Sequence, residues 1–513
     1  MRVLLVNPPL RSITNRVGVG FQLPLGLVMV GGPLVDAGHQ VTLCDADALG
    51  LSPRRIAATV ARTQSSVVLV GHSGSTAANP TSIEVMAAVK AAMPLATTVY
   101  GGVYPTYAAD VLLERYSQVD VIVRGEGEAT VAELVSLIAS GGGDFEKVRG
   151  ITWRDLNGRI RRNPDREPIV DLDPYRVAWE LADWSLYKAF GTDGAAAGIQ
   201  FSRGCPRTCT YCGQWAFWKR WRHRSINRFV NDLQLLHDRY NVRSVWIADE
   251  NWGDDPELLH AVLAQLAERQ LDLAIYCSMC ASDVARDIEH LALYRKSGIR
   301  FILMGVESAN DEVLQRIGKD NPQEMVKTVA TELRKNGILS VVNYIFGIQS
   351  ETHRSMWQSL KRIFDLDADF INALYYTPHG WTFDGRRTDP AEVVQFDQTR
   401  WSYRNQVIDA GALTPAQFFL WIKLIEAAAH LRPTWLSRLV RREFPDVQRL
   451  LRWCFIHTSA VWVTEIYEQL AHVRFHQAGR IQPDLARLLL PSGQRGSSSS
   501  IHPQTALLYR KSE

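Results

Sequence analysis

The stretch Arg203-Gly204-Cys205-Pro206-Arg207-Thr208-Cys209-Thr210-Tyr211-Cys212 decides how the rest of the chain reads. Its three cysteines have the spacing C-x₃-C-x₂-C and follow an apolar run, Gly198–Phe201, that reads as a strand. Three thiolates on one short loop suit three irons of a four-iron, four-sulfur cluster, and the fourth iron is then open to a chelating small molecule. A cluster used only for electron transfer takes four cysteines. A structural zinc also wants four ligands, and here the last would have to be His223 or a more distant residue.

Outward from the loop, strands and helices alternate from about residue 196 to 390. The strand candidates are Gly198–Phe201, Ser244–Ala248, Ala274–Ser278, Phe301–Met304, Leu339–Phe346 and Phe370–Tyr376. Six such units predict a partial barrel, (β/α)₆, with its site at the carboxyl ends of the strands. Residues 1–150 show a second alternation. Its strands are Val3–Val6, Val41–Cys44, Val67–Gly71, Thr97–Gly101 and Val119–Val123, and its helices are Leu25–Ala37, Ser52–Thr63, Ser82–Ala92, Ala108–Tyr116 and Thr130–Ala139. Strands apolar throughout predict a parallel, Rossmann-like α/β sheet covered on both faces. Residues 151–195 read as a linker with a small hairpin at Gly150–Arg161. Residues 391–490 read as a helical C-terminal region, with Thr414-Pro415 as an N-cap and first helical residue. Residues 491–513, with the run Gly496-Ser497-Ser498-Ser499-Ser500, read as a disordered tail.

Bulk properties narrow the function classes. The chain has 513 residues, with 57 basic against 54 acidic side chains, and that balance gives no support to a general nucleic-acid binder. No apolar run reaches the ~20 residues that span a bilayer, and Pro8-Pro9 interrupt the first one, so a cytoplasmic location is expected. Five of the seven cysteines fall in two tight clusters, which favours metal ligation over a disulfide framework. The second cluster, Cys277-x₂-Cys280, reads as buried thiols at a strand end.

The cysteine segment resembles the radical S-adenosylmethionine superfamily over residues 195–390. The resemblance implies that the open iron binds the amino and carboxylate groups of S-adenosylmethionine, whose reductive cleavage gives a 5′-deoxyadenosyl radical. It implies an external electron donor such as flavodoxin or ferredoxin. Tyr211 stands at the family's aromatic position. Asp249 and Glu250, in Ala248-Asp249-Glu250-Asn251, match the acidic motif that holds the methionine ammonium. Gly305-Val306-Glu307-Ser308 is similar to the G-x-E-S element, with Ser278 and Glu307 implied at the ribose or methionyl carboxylate. Gly347-Ile348-Gln349-Ser350-Glu351-Thr352 is similar to the adenine-side element, with Gln349 and Ser350 where the family has Pro and Gly.

The N-terminal third resembles the cobalamin-binding domain that precedes many such enzymes. The resemblance rests on Val6-Asn7-Pro8-Pro9, on Gly101-Gly102-Val103-Tyr104-Pro105-Thr106 and on Arg124-Gly125-Glu126-Gly127-Glu128. It implies cobalamin contacts from Pro8, Ser73, Ser75, Gly101, Gly102, Tyr104, Gly125 and Glu126. The chain lacks the D-x-H-x-x-G motif, so cobalt is expected without a protein imidazole.

After Cys212 comes Gly213-Gln214-Trp215-Ala216-Phe217-Trp218-Lys219-Arg220-Trp221-Arg222-His223-Arg224, where aromatics alternate with bases. Such a segment suits a planar anionic small molecule, suits nucleic-acid bases, or forms a plain aromatic cluster. With the cysteines it is similar to the anaerobic magnesium-protoporphyrin monomethyl ester oxidative cyclases and related tetrapyrrole methylases. That resemblance implies a tetrapyrrole substrate, with either oxidative closure of the isocyclic ring or C-methylation as the outcome. The candidates for substrate contact are Trp215, Trp218, His379 and Trp381.

Overall fold

The computed structural model describes residues 1–10, 22–72, 76–142, 144–188, 190–319, 321–440 and 443–471. The expected tail 491–513 and the last residues of the expected helical region lie outside them.

The first sheet has seven strands: β1 (Arg2–Asn7), β2 (Gln40–Asp45), β3 (Val67–Gly71), β4 (Thr97–Gly101), β5 (Val121–Val123), β6 (Ile151–Arg154) and β7 (Ile160–Arg162). Their order is β2-β1-β3-β4-β5-β6-β7. The first five are parallel, and β6 and β7 join antiparallel. The hairpin expected in the linker is therefore the edge of this sheet. Trp153 is its anchor: it is buried against Phe145 and its indole donates to Asn163 at 3.1 Å. Val3 and Leu5 face one apolar layer and Leu4 and Val6 the other, as strands buried on both faces require. In the order 2-1-3-4-5 the connections reverse between β1 and β3, and ligands bind outside the carboxyl ends at such a point.

One expectation is revised here. The helix after β4 begins at Val103 rather than Ala108. Tyr104 and Pro105 thus lie in a first turn, where the missing N–H of Pro105 costs no intrahelical bond.

The second sheet contains β8 (Ala195–Ile199), β11 (Val242–Ile247), β12 (Ala274–Ser278), β13 (Ile299–Glu307), β14 (Leu339–Phe346) and β15 (Phe370–Tyr375), all parallel in sequential order. It is the expected six-stranded partial barrel. A short antiparallel pair, β9 (Ser202–Arg203) with β10 (Arg222–His223), closes the neck of the cysteine loop. Amphipathic helices such as Ile226–Tyr240 and Gln323–Lys335 bury Leu233, Leu236, Val329 and Leu333 against its outside.

Thr414 caps the helix Pro415–Leu431 through a reciprocal capping box with Gln417, as its sequence predicts. The helix Pro445–Ala471 places Val447, Leu450 and Leu451 against Tyr276, Leu339, Val341 and Phe370. Leu339 and Phe370 open their strands, so this apolar segment covers the amino end of the barrel rather than its mouth. An open six-stranded sheet leaves its concave face bare, and these side chains remove it from water.

Candidate active site

The cysteine loop is positioned by its neck. Asp249, at the end of β11, accepts from the Phe201 and Ser202 backbone N–H groups (2.8 Å each) and from the Ser202 hydroxyl (2.6 Å). Burial pushes its carboxyl up to about 7 against those three bonds. Gly204 has φ +92°, and a Cβ there would sit 2.4 Å from the Arg220 carbonyl, so only glycine passes this crossing. Farther along, the Thr210 N–H donates to the Ile317 carbonyl at 3.1 Å and its hydroxyl to Asp384 at 2.8 Å. The Trp215 indole donates to the Cys209 carbonyl at 3.1 Å.

Cys205, Cys209 and Cys212 face one cleft at the carboxyl ends of β11 to β14. Tyr211, Trp215, Glu250, Ser278 and Glu307 line it with them, and so do Arg207, Cys280, Lys319 and Asn343. Its volume of about 170 Å³ is roughly ten times what one water needs, which is room for a polyatomic group. Among the described residues, the only three candidate ligand atoms mutually within 4.8 Å are elsewhere, on His260, Asp287 and His290. The loop thiols are thus not drawn together as one zinc ion would draw them, since Zn–S bonds of about 2.3 Å place sulfurs under 4 Å apart. Burial raises all three thiols, Cys212 to about 12 and Cys205 further, so a metal must expel their protons. Three separated thiols in a roomy cleft with two cations fit a four-iron cluster.

Glu307 is aimed by strain. It has φ +67°, where a β13–β14 register shift forms a bulge. A Cβ on Gly305 would meet its carboxylate at 2.0 Å. Tyr211 donates to that carboxylate at 2.7 Å and Lys319 at 3.2 Å. Burial works against the Lys319 ammonium, yet Glu307 and Cys209 hold its pKa above the usual lysine value. Glu250 is pushed up to about 7 by burial, opposed by the Trp218 indole that donates to it at 3.1 Å.

Several expected residues lie elsewhere. Asp249 is turned to the loop neck and does not line the cleft. Gly347 does not line it either; it lies at the end of β14 facing Phe418. Trp218 stacks on Arg203, with the guanidinium 5.1 Å from the ring centre. Cys277 is fully buried, whereas Cys280, read from sequence as a plain buried thiol, lines the cleft. Lys319 and Asn343 were missed because neither belongs to a motif, and Arg207 because it fills a variable position between Cys205 and Cys209.

The second candidate site is the carboxyl edge of the first sheet. Pro8 follows β1, His72 follows β3, and Gly101 and Gly102 close β4. Gly102 has φ +123°, and a Cβ there would lie 3.0 Å from the His72 carbonyl. Among the described residues the buried His72 Nδ1 meets no hydrogen-bond partner, and burial pushes the ring down to about 4. Glycines that admit close approach and an orphaned imidazole nitrogen fit a bulky polar ligand such as a corrinoid. Ser73 and Ser75 lie outside the described residues. Tyr104 is directed into the core, where Trp381 meets it edge-on at 5.9 Å. Glu126 forms ion pairs with Arg203 (2.5 Å) and Arg222, and Glu128 pairs with Arg203. These charges join the first sheet to the cysteine loop.

His379 and Trp381 form a second joint. The His379 ring bonds Thr76 through Nδ1 (3.0 Å) and Tyr403 through Nε2 (2.7 Å), and it stacks on Trp381 at 4.5 Å. Trp381 stacks on Tyr107 at 6.0 Å and presses on Gly213, where a Cβ would lie 2.2 Å from the indole.

A 2-1-3-4-5 sheet with a glycine-lined edge, followed by an open barrel with three thiols at its mouth, defines a cobalamin-dependent radical enzyme. Residues 13–135 match the B12 binding domain and residues 199–363 the Radical SAM superfamily. The chain belongs to the cobalamin-dependent radical S-adenosylmethionine enzymes, and its cofactors are a four-iron, four-sulfur cluster, S-adenosylmethionine and cobalamin. It is 38% identical to the anaerobic magnesium-protoporphyrin IX monomethyl ester cyclase of Synechocystis sp., over 91% of this chain and 93% of that one. The cyclase of the same name from Rubrivivax gelatinosus is 27% identical over 80% and 74% of the two chains. Among solved structures, the fold is similar to the radical S-adenosylmethionine methyltransferase TsrM from Kitasatospora setae, with cobalamin and a [4Fe-4S] cluster bound. That likeness has a TM-score of 0.66 at 16% identity and covers 90% of this chain and 99% of that one.

Proposed function

We propose that the enzyme acts on a tetrapyrrole, magnesium-protoporphyrin IX monomethyl ester or a near relative, and closes its isocyclic ring oxidatively. The reading rests on the likeness to the Synechocystis cyclase along nearly the whole of both chains. When bound, the cluster and S-adenosylmethionine supply a primary carbon radical, and the corrinoid supplies an acceptor of electrons or a carrier of methyl groups.

The chain's own residues divide the remaining work. Cys205, Cys209 and Cys212 hold the cluster. Glu250, Ser278, Glu307 and Tyr211 hold the methionyl and ribose groups, with Gly347 nearer the adenine. Pro8, Gly101, Gly102 and Gly125 admit the corrinoid. Trp215 offers the substrate an aromatic face in the cleft. Trp218, Trp381 and His379 act by fixing the loop and the domain joint. The buried joint keeps water from the radical, which would otherwise be lost to side reactions. A flavodoxin- or ferredoxin-type donor supplies the electron, and such a donor fits a cytoplasmic enzyme. No helix among the described residues is long and apolar enough to cross a membrane.

A second reading, C-methylation of an unactivated carbon, is supported by similarity to the hopanoid C-3 methylase of Methylococcus capsulatus. Product mass separates the two. An anaerobic turnover with the magnesium porphyrin ester gives a keto product without added carbon if the enzyme cyclises. A product heavier by one methyl group overturns the cyclase reading.

A further inference from the structure

Three side chains outside the cleft form a ligand set that the radical chemistry does not use. His260 lies on the helix Pro256–Arg269, and Asp287 and His290 lie on the turn before the helix Leu291–Lys296. One ligand atom from each lies within 4.8 Å of the other two. His260 Nε2 is 3.0 Å from the Asp287 carboxylate, and the two imidazoles stack with centres 4.2 Å apart and planes 27° apart. None of the three lines the cysteine cleft.

A simple His–Asp hydrogen bond accounts for His260 but not for the second imidazole. Among the described residues no hydrogen bond engages the His290 ring, although the turn holds it over His260 through the His290 N–H to the Asp287 carbonyl at 2.9 Å. The carboxylate is already oriented. Asp287 is 2% exposed, the Tyr294 hydroxyl donates to the oxygen that faces His260 (2.7 Å), and Arg286 donates to the other (3.2 Å). Such outer partners are what a metal-bound carboxylate keeps.

We propose that His260, Asp287 and His290 bind one divalent transition ion, zinc or a close relative, with solvent in the open positions. Two nitrogens and one oxygen suit zinc, cobalt or nickel; magnesium and calcium prefer all-oxygen sites. With metal–nitrogen bonds of about 2.1 Å at a tetrahedral angle, two imidazole centres lie about 5 Å apart, so the rings need open by only about 1 Å. His290 is exposed and free to make that movement. The ion replaces the proton between His260 and Asp287. It clips the helix that follows β11 to the turn that follows β12, the two strands that deliver Glu250 and Ser278 to the cleft. The ion thus ties together two elements beside the cleft without entering the cleft itself.

The test uses the full chain with its cluster loaded, so that the thiols are occupied, stripped of loose metal by a chelator and titrated with zinc. Wild type takes up one zinc per chain. Cobalt(II) at the site gives ligand-field bands without thiolate charge-transfer bands. His290→Ala loses at least the ~10–100-fold in affinity that loss of a mere outer partner costs. Glu289→Ala, an exposed carboxylate on the same turn, binds as wild type. The proposal is overturned if wild type takes up no zinc, if His290→Ala binds as tightly as wild type, or if Glu289→Ala weakens binding as much.

Discussion

Arg203 is the residue whose loss the structure predicts most sharply. It is 2% exposed and sits two residues before Cys205. It pairs with Glu126 and Glu128, donates to Gln200 at 2.9 Å and stacks on Trp218. Burial alone would raise the Glu128 carboxyl; the guanidinium outweighs it and holds it below the usual carboxylate range. In Arg203→Met, Arg222 still faces Glu126, but Glu128 becomes a buried charge without its cation. Breaking one partner out of a buried pair costs about 3–5 kcal/mol, a large share of the ~5–15 kcal/mol that holds a domain folded. Urea denaturation at pH 7 should show that loss, and iron content after anaerobic reconstitution should fall because the loop neck is loosened.

Two controls make the reasoning exposed to failure. Adding Glu128→Gln to Arg203→Met removes the orphaned charge, so the double variant should regain about half the loss, on the order of 2 kcal/mol. Glu128 has a depressed folded pKa in wild type, so its contribution is present above the unfolded value and fades as pH falls through the folded one. In Arg203→Met the carboxyl titrates higher, so the deficit relative to wild type should shrink as pH is lowered. The reasoning is refuted if Arg203→Met lies within about 1 kcal/mol of wild type, or if Glu128→Gln adds its own full cost to it.

Other consequences are open to direct measurement. Burial pushes His72 and His430 down to about 4 and His379 to about 3 from 6.5, so at these three rings the unfolded state binds more protons below pH 6.5. Asp249 and Glu250, raised to about 7, stabilise the fold over the same range as pH falls, so the rings are read one at a time. The deficit of His379→Gln against wild type should shrink as pH drops from about 7 to about 5, by up to ~1.4 kcal/mol per pH unit, and an unchanged deficit would contradict this. Wild type should hold about four irons per chain, and Cys209→Ala should hold no cluster by iron analysis and electron paramagnetic resonance. Gly102→Ala puts a methyl 3.0 Å from the His72 carbonyl in a backbone conformation that L-residues avoid. It should lower hydroxocobalamin uptake, read from the corrinoid absorption band, while the iron content stays at the wild-type value.

The sequence made some features legible because their pattern is local. Both strand–helix alternations appear in it, since apolar runs and helical faces are short-range signals, and Thr414-Pro415 marked its helix for the same reason. The cysteine spacing marked the loop. The misreadings have one cause: where a side chain points depends on contacts far along the chain. Asp249 reads like a ligand beside Glu250, but successive residues leaving a strand face opposite ways, so Glu250 reaches the cleft and Asp249 reaches back to Ser202. Tyr104 reads as part of a glycine-rich binding loop, yet the helix starts at Val103 and turns its ring into the core. Lys319 carried no signal, because its partner Glu307 is twelve residues away and is presented by a bulge.

The most instructive case is Arg124-Gly125-Glu126-Gly127-Glu128, read from sequence as part of the corrinoid edge. Gly125, at φ +74° with open space where a Cβ would go, stays at that edge. Glu126 and Glu128 instead point at Arg203 and Arg222, the two residues that pair across the neck of the cysteine loop. One short turn therefore borders the proposed corrinoid edge and clamps the loop that carries the proposed cluster ligands. Two charges buried on each side are costly to separate, so the relative position of the two cofactor sites is fixed by charge as well as by packing. Trp381, wedged between Tyr107 and Gly213, fixes it from the far end of the same loop. A reaction that needs a carbon radical and a corrinoid to meet one substrate depends on that spacing. Variants of the joint should therefore impair coupled turnover more than they impair the loading of either cofactor, a distinction that Trp381→Ala tests through corrinoid content, iron content and product yield measured together.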